Sequence, residues 1–147
     1  MSNKNIRDIK TAKNYVPTVL LLDDQDVALT IHVALIRKLD PKIKTVVFKQ
    51  PKDALDWLKT KQADLIITDY IMEGMNGIEF IESAKLTKHA ASTPFVVVTA
   101  SHDTQVHLNL HAIGVYKAYT KPVDIKSLSM TCRTLLNMPN EKQSMPS

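Results

Sequence analysis

The sequence predicts an α/β domain built on a doubly wound parallel sheet, and three observations carry that. Strand-like and helix-like patterns alternate without a break from Thr18 to about Leu136. Such alternation implies parallel strands, right-handed crossovers and helices on both faces of the sheet. The runs Val19-Leu20-Leu21-Leu22, Leu65-Ile66-Ile67 and Phe95-Val96-Val97-Val98 are continuously apolar, as strands covered on both sides must be. The length of 147 residues fits one domain, and 44% hydrophobic residues supply its core.

The elements follow in order. Residues 1–17 form a polar tail, expected to be flexible. Strand one is 18–22. Val27, Ile31, Ala34, Leu35 and Lys38 recur at helical spacing, which predicts helix one over 26–39 with that face inward. Asp40-Pro41 stops it. Strand two is 43–48. Helix two, 51–60, has Pro51 in its first turn and Ala54, Leu55 and Leu58 on one face. Strand three is 64–68. Helix three, 77–87, turns Ile78, Ile81 and Ala84 inward. Strand four is 94–98. Helix four, 104–112, carries Val106 and Leu110 and ends near Gly114. Strand five is 115–119. Asp124 caps helix five, where Ile125, Leu128, Cys132 and Leu135 share a face. The domain thus spans 18–137, with a second flexible tail over 138–147. Five β/α units fit the flavodoxin-like strand order 2-1-3-4-5, which makes strands one and three neighbours at the switch point.

In open α/β sheets, chemistry gathers outside the carboxyl ends of the strands. Here those ends carry Asp23-Asp24, Asp69, Thr99 and Lys121-Pro122. Pro122 is a candidate for a cis bond that aims Lys121. Three converging carboxylates repel one another, at a cost of roughly 4 kcal/mol per pair at 4 Å and an effective dielectric of 20. A bound cation relieves that, and hard oxygen ligands favour Mg²⁺. A phosphoryl donor sharing the metal would leave Asp69 as nucleophile. Lys121 could then pair with the new phosphate, and Thr99 could donate a hydrogen bond to it.

This set, in this order, resembles the receiver domain of two-component response regulators, over Thr18 to about Leu136. The stretch Asp69-Tyr70-Ile71-Met72-Glu73-Gly74-Met75-Asn76-Gly77 resembles that family's loop after the phosphoacceptor. The resemblance implies that Asp69 accepts phosphate from a sensor histidine kinase or a histidine phosphotransfer protein. It implies Mg²⁺ on Asp24, Asp69 and the main-chain carbonyl of Ile71, with Asp23 acting mainly through water. It implies that Thr99 and Lys121 read the phosphate and that output goes to a downstream protein effector. It also implies homodimers through helix four, strand five and helix five. No separate substrate is turned over, so the protein is not expected to be an enzyme beyond its own phosphorylation and slow dephosphorylation.

The sequence departs from that family in three places. Glu73 stands where Pro is usual, and Ala118 stands where the family's switch aromatic sits. Tyr119 is one place later and points to the opposite face of the strand; Tyr116, Tyr119 and the helix-four surface are the other candidates for output. Ile71 and Ser101 occupy positions that tend to tune dephosphorylation, and neither is a strong base.

Two other functions compete. Asp24-Gln25-Asp26-Val27 looks like the nucleophile motif of haloacid-dehalogenase-like phosphatases, which would use Asp24, but the acidic pair that family needs beyond its Lys is missing. A degenerate receiver used only as an interaction module is the third reading. Glycine stands only at 74, 77 and 114, so there is no phosphate-cradling loop. The charge of +4 is concentrated at Lys4, Arg7, Lys10 and Lys13 without interleaved aromatics, and no nucleic-acid partner is expected. His107 and His111 lack the Glu of a zinc helix and read as surface residues. Trp57 and the six Met read as packing, and single Cys132 as a small apolar residue. No apolar run reaches the ~20 residues of a membrane span, and a cytoplasmic protein with no membrane partner is expected.

Overall fold

Apolar runs too continuous to alternate become the middle of the sheet. The computed structural model describes residues 14–138. Its strands are β1 Thr18–Leu22, β2 Lys44–Phe48, β3 Leu65–Asp69, β4 Phe95–Thr99 and β5 Lys117–Thr120. They pair in the order β2-β1-β3-β4-β5, all parallel, the flavodoxin-like arrangement expected. β3 and β4 are buried along their whole length.

The helices are α1 Asp26–Leu39, α2 Pro51–Leu58, α3 Gly77–Lys85, α4 Thr104–Ala112 and α5 Ile125–Leu135. Because successive strand residues face opposite sides, the sheet feeds two cores. Leu20, Ile66, Phe95 and Val97 pack with Leu58 of α2, Phe80 and Ile81 of α3, and Leu110 of α4. Leu21, Ile67, Val96 and Val98 pack with Leu29 and Ile36 of α1 and with Leu128 and Cys132 of α5. Burying each such Leu, Ile or Phe contributes about 1.5–3 kcal/mol. Burial pushes the Cys132 thiol up to about 12, so it behaves as the apolar residue expected. Trp57 packs against Phe48, ring centres 6.2 Å apart.

Several expectations need correction. The inward face of α1 is Leu29, His32, Leu35 and Ile36. Val27 is 72% exposed and Ile31 47%. β5 starts at Lys117, because the Val115 N–H still closes the end of α4 on the Leu110 carbonyl at 3.1 Å. Gly114 takes φ +89° just beyond that helix end, and Lys85 Nζ crosses from α3 to the Ile113 carbonyl. Asp124 does cap α5, accepting from the Lys126 and Ser127 N–H groups. The packed structure also reaches back past Thr18: the Tyr15 hydroxyl bonds the Asp64 carboxylate, and the Pro17 carbonyl accepts from Lys44 N at 3.0 Å. The rest of the tails expected to be flexible, 1–13 and 139–147, lies outside the described residues.

Candidate functional site

β1 and β3 are register neighbours, with Leu22 opposite Thr68. The residues that follow therefore meet at one sheet edge. One carboxylate oxygen from each of Asp23, Asp24 and Asp69 lies within 4.8 Å of the others. Asp23 and Asp69 are buried, at 1% and 5% exposure, and Asp24 is exposed. Asp23 is anchored by its own N–H to the Phe48 carbonyl at 3.1 Å, and its Oδ1 accepts the Gln25 N–H at 2.9 Å. Its Oδ2 is buried with no hydrogen-bond partner. Asp69 Oδ1 accepts the Tyr70 N–H at 2.8 Å.

Lys121 supplies the positive charge. Its Nζ stands 3.6 Å from Asp23 Oδ2 and 3.5 Å from Asp69 Oδ2, pairing with both. Its backbone N–H bonds the Thr99 carbonyl at 2.7 Å, and the Lys121–Pro122 bond is cis, as expected. One ammonium does not balance the cluster. Burial, then the Asp23 charge, raises the Asp69 carboxyl above the ordinary carboxylate range, against the opposing pull of Lys121 and the Tyr70 N–H. A buried carboxylate oxygen without a hydrogen bond, excess negative charge and hard oxygen donors together fit a divalent cation such as Mg²⁺.

The loop after Asp69 is held without the usual proline. The Thr68 hydroxyl donates to the Asp69 carbonyl at 2.9 Å. The Gly77 N–H closes on the Tyr70 carbonyl at 2.7 Å. A Cβ on Gly77 would stand 3.0 Å from Tyr70 Cα, so any larger residue would push the loop back by a few tenths of an ångström. Asn76 and Glu79 complete a capping box at the start of α3, and Gly74 takes the turn at φ +88°. Glu73 is exposed in this loop, and the Ile71 side chain is 58% exposed.

Thr99 ends β4 fully buried. Its Oγ1 accepts the Ser101 N–H at 3.0 Å, so in this state it serves the β4–α4 loop and makes no hydrogen bond to Asp69. Tyr119 faces the α5 side, as expected, but is locked there. Its hydroxyl meets the Ser127 carbonyl at 3.1 Å and Thr131 Oγ1 at 2.6 Å, which removes it from the exposed surface. Tyr116 is 53% exposed.

Two histidines near the site were missed or misread from sequence. His32, on α1, is only 5% exposed. Its burial lowers its proton affinity, with Asp23 raising it and Lys121 lowering it further. The inward spacing of Leu29, His32, Leu35 and Ile36 was the available signal. His111 is exposed as expected, but His107 is half-buried and bonded to the Ser101 carbonyl.

The family is settled by comparison. Residues 19–133 match the family model of the response regulator receiver domain. The chain belongs to the response regulator receiver family. It is 28% identical over 127 residues to the cyclic di-GMP phosphodiesterase response regulator RpfG of Xanthomonas campestris, covering 86% of this chain and 34% of that protein. It is 27% identical over 123 residues to the heme response regulator HssR of Staphylococcus saprophyticus, covering 84% of this chain and 53% of that one. The chain therefore spans about a third to a half of these relatives. The chemotaxis protein CheY4 of Vibrio cholerae shares the fold, with a TM-score of 0.74 and 20% identity over 82% of this chain and 99% of that one. So does the receiver domain of the sensor histidine kinase PA1611 of Pseudomonas aeruginosa, solved with magnesium in its active site cleft; its TM-score is 0.73, with 17% identity over 84% of this chain and 99% of that one. Receivers of this family take part in two-component signalling with histidine kinases and downstream effectors. No comparison supports the phosphatase alternative. Among the described residues, no helix is long and apolar enough to cross a membrane.

Proposed function

We propose that this receiver accepts a phosphoryl group on Asp69 from a phosphohistidine of a sensor histidine kinase or histidine phosphotransfer protein. The observation that carries the reading is the buried Asp23 Oδ2 beside Asp69, which makes no hydrogen bond and shares one ammonium, Lys121, with Asp69. An Asp69 carboxylate oxygen attacks phosphorus, and a new O–P bond forms. The P–N bond to the donor histidine breaks, and the imidazole keeps that electron pair and takes a proton from water. Lys121 holds Asp69 toward its ionised, nucleophilic form and then pairs with the phosphoryl oxygens. Thr99 turns its hydroxyl from Ser101 to the same oxygens. Asp23, Asp24, Asp69 and the Ile71 main-chain carbonyl would hold Mg²⁺, which supplies positive charge against the carboxylates and the transferred group.

Neither Ile71 nor Ser101 can act as a base toward water, so the aspartyl phosphate is expected to be long-lived. Following its decay in the isolated protein checks this, and rapid Mg²⁺-dependent loss contradicts it. Output passes by protein–protein contact to an effector, with the α4, β5 and α5 surface as the candidate face for that contact or for homodimers. The direct test is incubation with Mg²⁺ and a small acyl phosphate, followed by intact mass. Wild type is expected to gain one phosphoryl group and Asp69→Asn none. Labelling that survives Asp69→Asn overturns the reading.

A further inference from the structure

His107 ties together two parts of the chain that neighbour Thr99, the β4–α4 loop and the end of β5. Its Nε2 lies 3.0 Å from the Ser101 carbonyl and 3.3 Å from Thr120 Oγ1. A carbonyl oxygen only accepts, so the Nε2 that meets Ser101 carries the ring proton. Ser101 is thus held on both sides, by its N–H on Thr99 Oγ1 and by its carbonyl on His107. Thr99 and Thr120 are register partners across β4 and β5. Thr99, Ser101, His107 and Thr120 thus form a chain of contacts from the buried end of β4 to a half-buried ring on α4.

Two further features make these contacts consequential. α4 is weakly seated: Leu110 is its one buried residue, where α1 and α3 each bury four. A pocket of about 250 Å³ lies beside the ring, lined by His107, His111, Val115, Tyr116, Lys117 and Ala118. The small Ala118 side chain leaves that space open, so a ring released from Ser101 has somewhere to turn.

We propose that His107 is a positioning residue that carries the state of Thr99 to the α4–β5 surface. The inference rests on Asp69 being the phosphoacceptor. When the Thr99 hydroxyl swings to a phosphoryl group on Asp69, the Ser101 N–H loses its acceptor and the loop shifts. The Ser101 carbonyl then leaves Nε2, and the imidazole turns toward Ala118. The start of α4 loosens, and the surface around Tyr116 and Lys117 changes shape.

The test is nitrogen-15 and proton NMR of the full chain, before and after addition of Mg²⁺ with beryllofluoride as a phosphoryl mimic. In wild type, the His107 Nε2–H signal is expected to move and to exchange faster with water, together with the Tyr116 and Lys117 amides. In Thr99→Ala, which loses one contact to the mimic, beryllofluoride is raised until the Tyr70 amide shifts, and the His107 signal is then expected to stay in place. His107→Ala is expected to keep phosphoryl uptake at Asp69 and lose most of the response at Tyr116 and Lys117. His107→Gln, which retains a donor, is expected to restore part of it. A Tyr70 response with a stationary His107 signal overturns the inference and leaves Asp69 as acceptor. A silent Tyr70 amide overturns the acceptor reading, and the inference falls with it.

Discussion

β3 has a buried aspartate at each end. Asp64, just before its first residue, is 8% exposed, and Asp69, its last, is 5% exposed. The two differ in company. The Asp64 carboxylate accepts the Tyr15 hydroxyl at 2.8 and 2.9 Å and the Thr18 N–H at 2.8 Å. Burial, with the Asp64 bond and charge, drives the Tyr15 hydroxyl far above its ordinary range, so it stays a donor. Asp69 has one backbone donor, a shared ammonium and a neighbouring buried carboxylate. The same residue type, at the two ends of one strand and at similar burial, is a fastening where donors saturate it. Where they do not, it is left to share one ammonium with a second buried carboxylate.

That contrast can be broken from either end. The largest effect expected is chemical: Asp69→Asn abolishes phosphoryl uptake, while Tyr15→Phe leaves it intact, both read by mass. Next, Asp64→Ala should destabilise the fold by about 2 kcal/mol, because the part-buried donors at Tyr15 and Thr18 lose their acceptor. Chemical denaturation measures this.

Asp69→Asn should do the reverse in metal-free protein near neutral pH. It should raise stability by on the order of 1 kcal/mol, the usual scale of a single substitution, because it removes an ionised group that burial and Asp23 disfavour. The sign follows from proton linkage. The folded state holds the Asp69 proton more tightly than the unfolded chain does. The ionised group therefore subtracts from stability above the raised value, and that cost fades as pH falls through it toward the ordinary carboxylate range. The advantage of Asp69→Asn should shrink over the same interval in denaturation at stepped pH. An advantage that grows on acidification would contradict the assignment. The smallest effect expected is Tyr15→Phe, about 1 kcal/mol for one hydrogen bond.

Much of the fold and the acidic site was legible in the sequence, for identifiable reasons. β1, β3 and β4 announce themselves because both their faces are covered, which leaves continuous apolar runs and no ambiguity of period. The acidic cluster announces itself because Asp23, Asp24, Asp69 and Lys121 each follow or close a strand. The inward face of α1 was misread because Val27 and Ile31 are apolar yet exposed, while His32 is polar yet buried. The bonds of His107 could not be read, since Ser101 and Thr120 are brought to it by different connections of the chain. The lack of a hydrogen bond at Asp23 Oδ2 was equally invisible, because it depends on which oxygen the Gln25 N–H takes.

Asp23, Asp24 and Asp69 are proposed to form an acidic pocket that takes a divalent ion. Unfolding stability measured with and without Mg²⁺ tests it most directly, in wild type, Asp69→Asn and Tyr15→Phe. At ten times its Kd, Mg²⁺ should stabilise wild type and Tyr15→Phe by about 1.4 kcal/mol, and Asp69→Asn should lose most of that gain. An equal gain in Asp69→Asn, or none in wild type, would contradict the account.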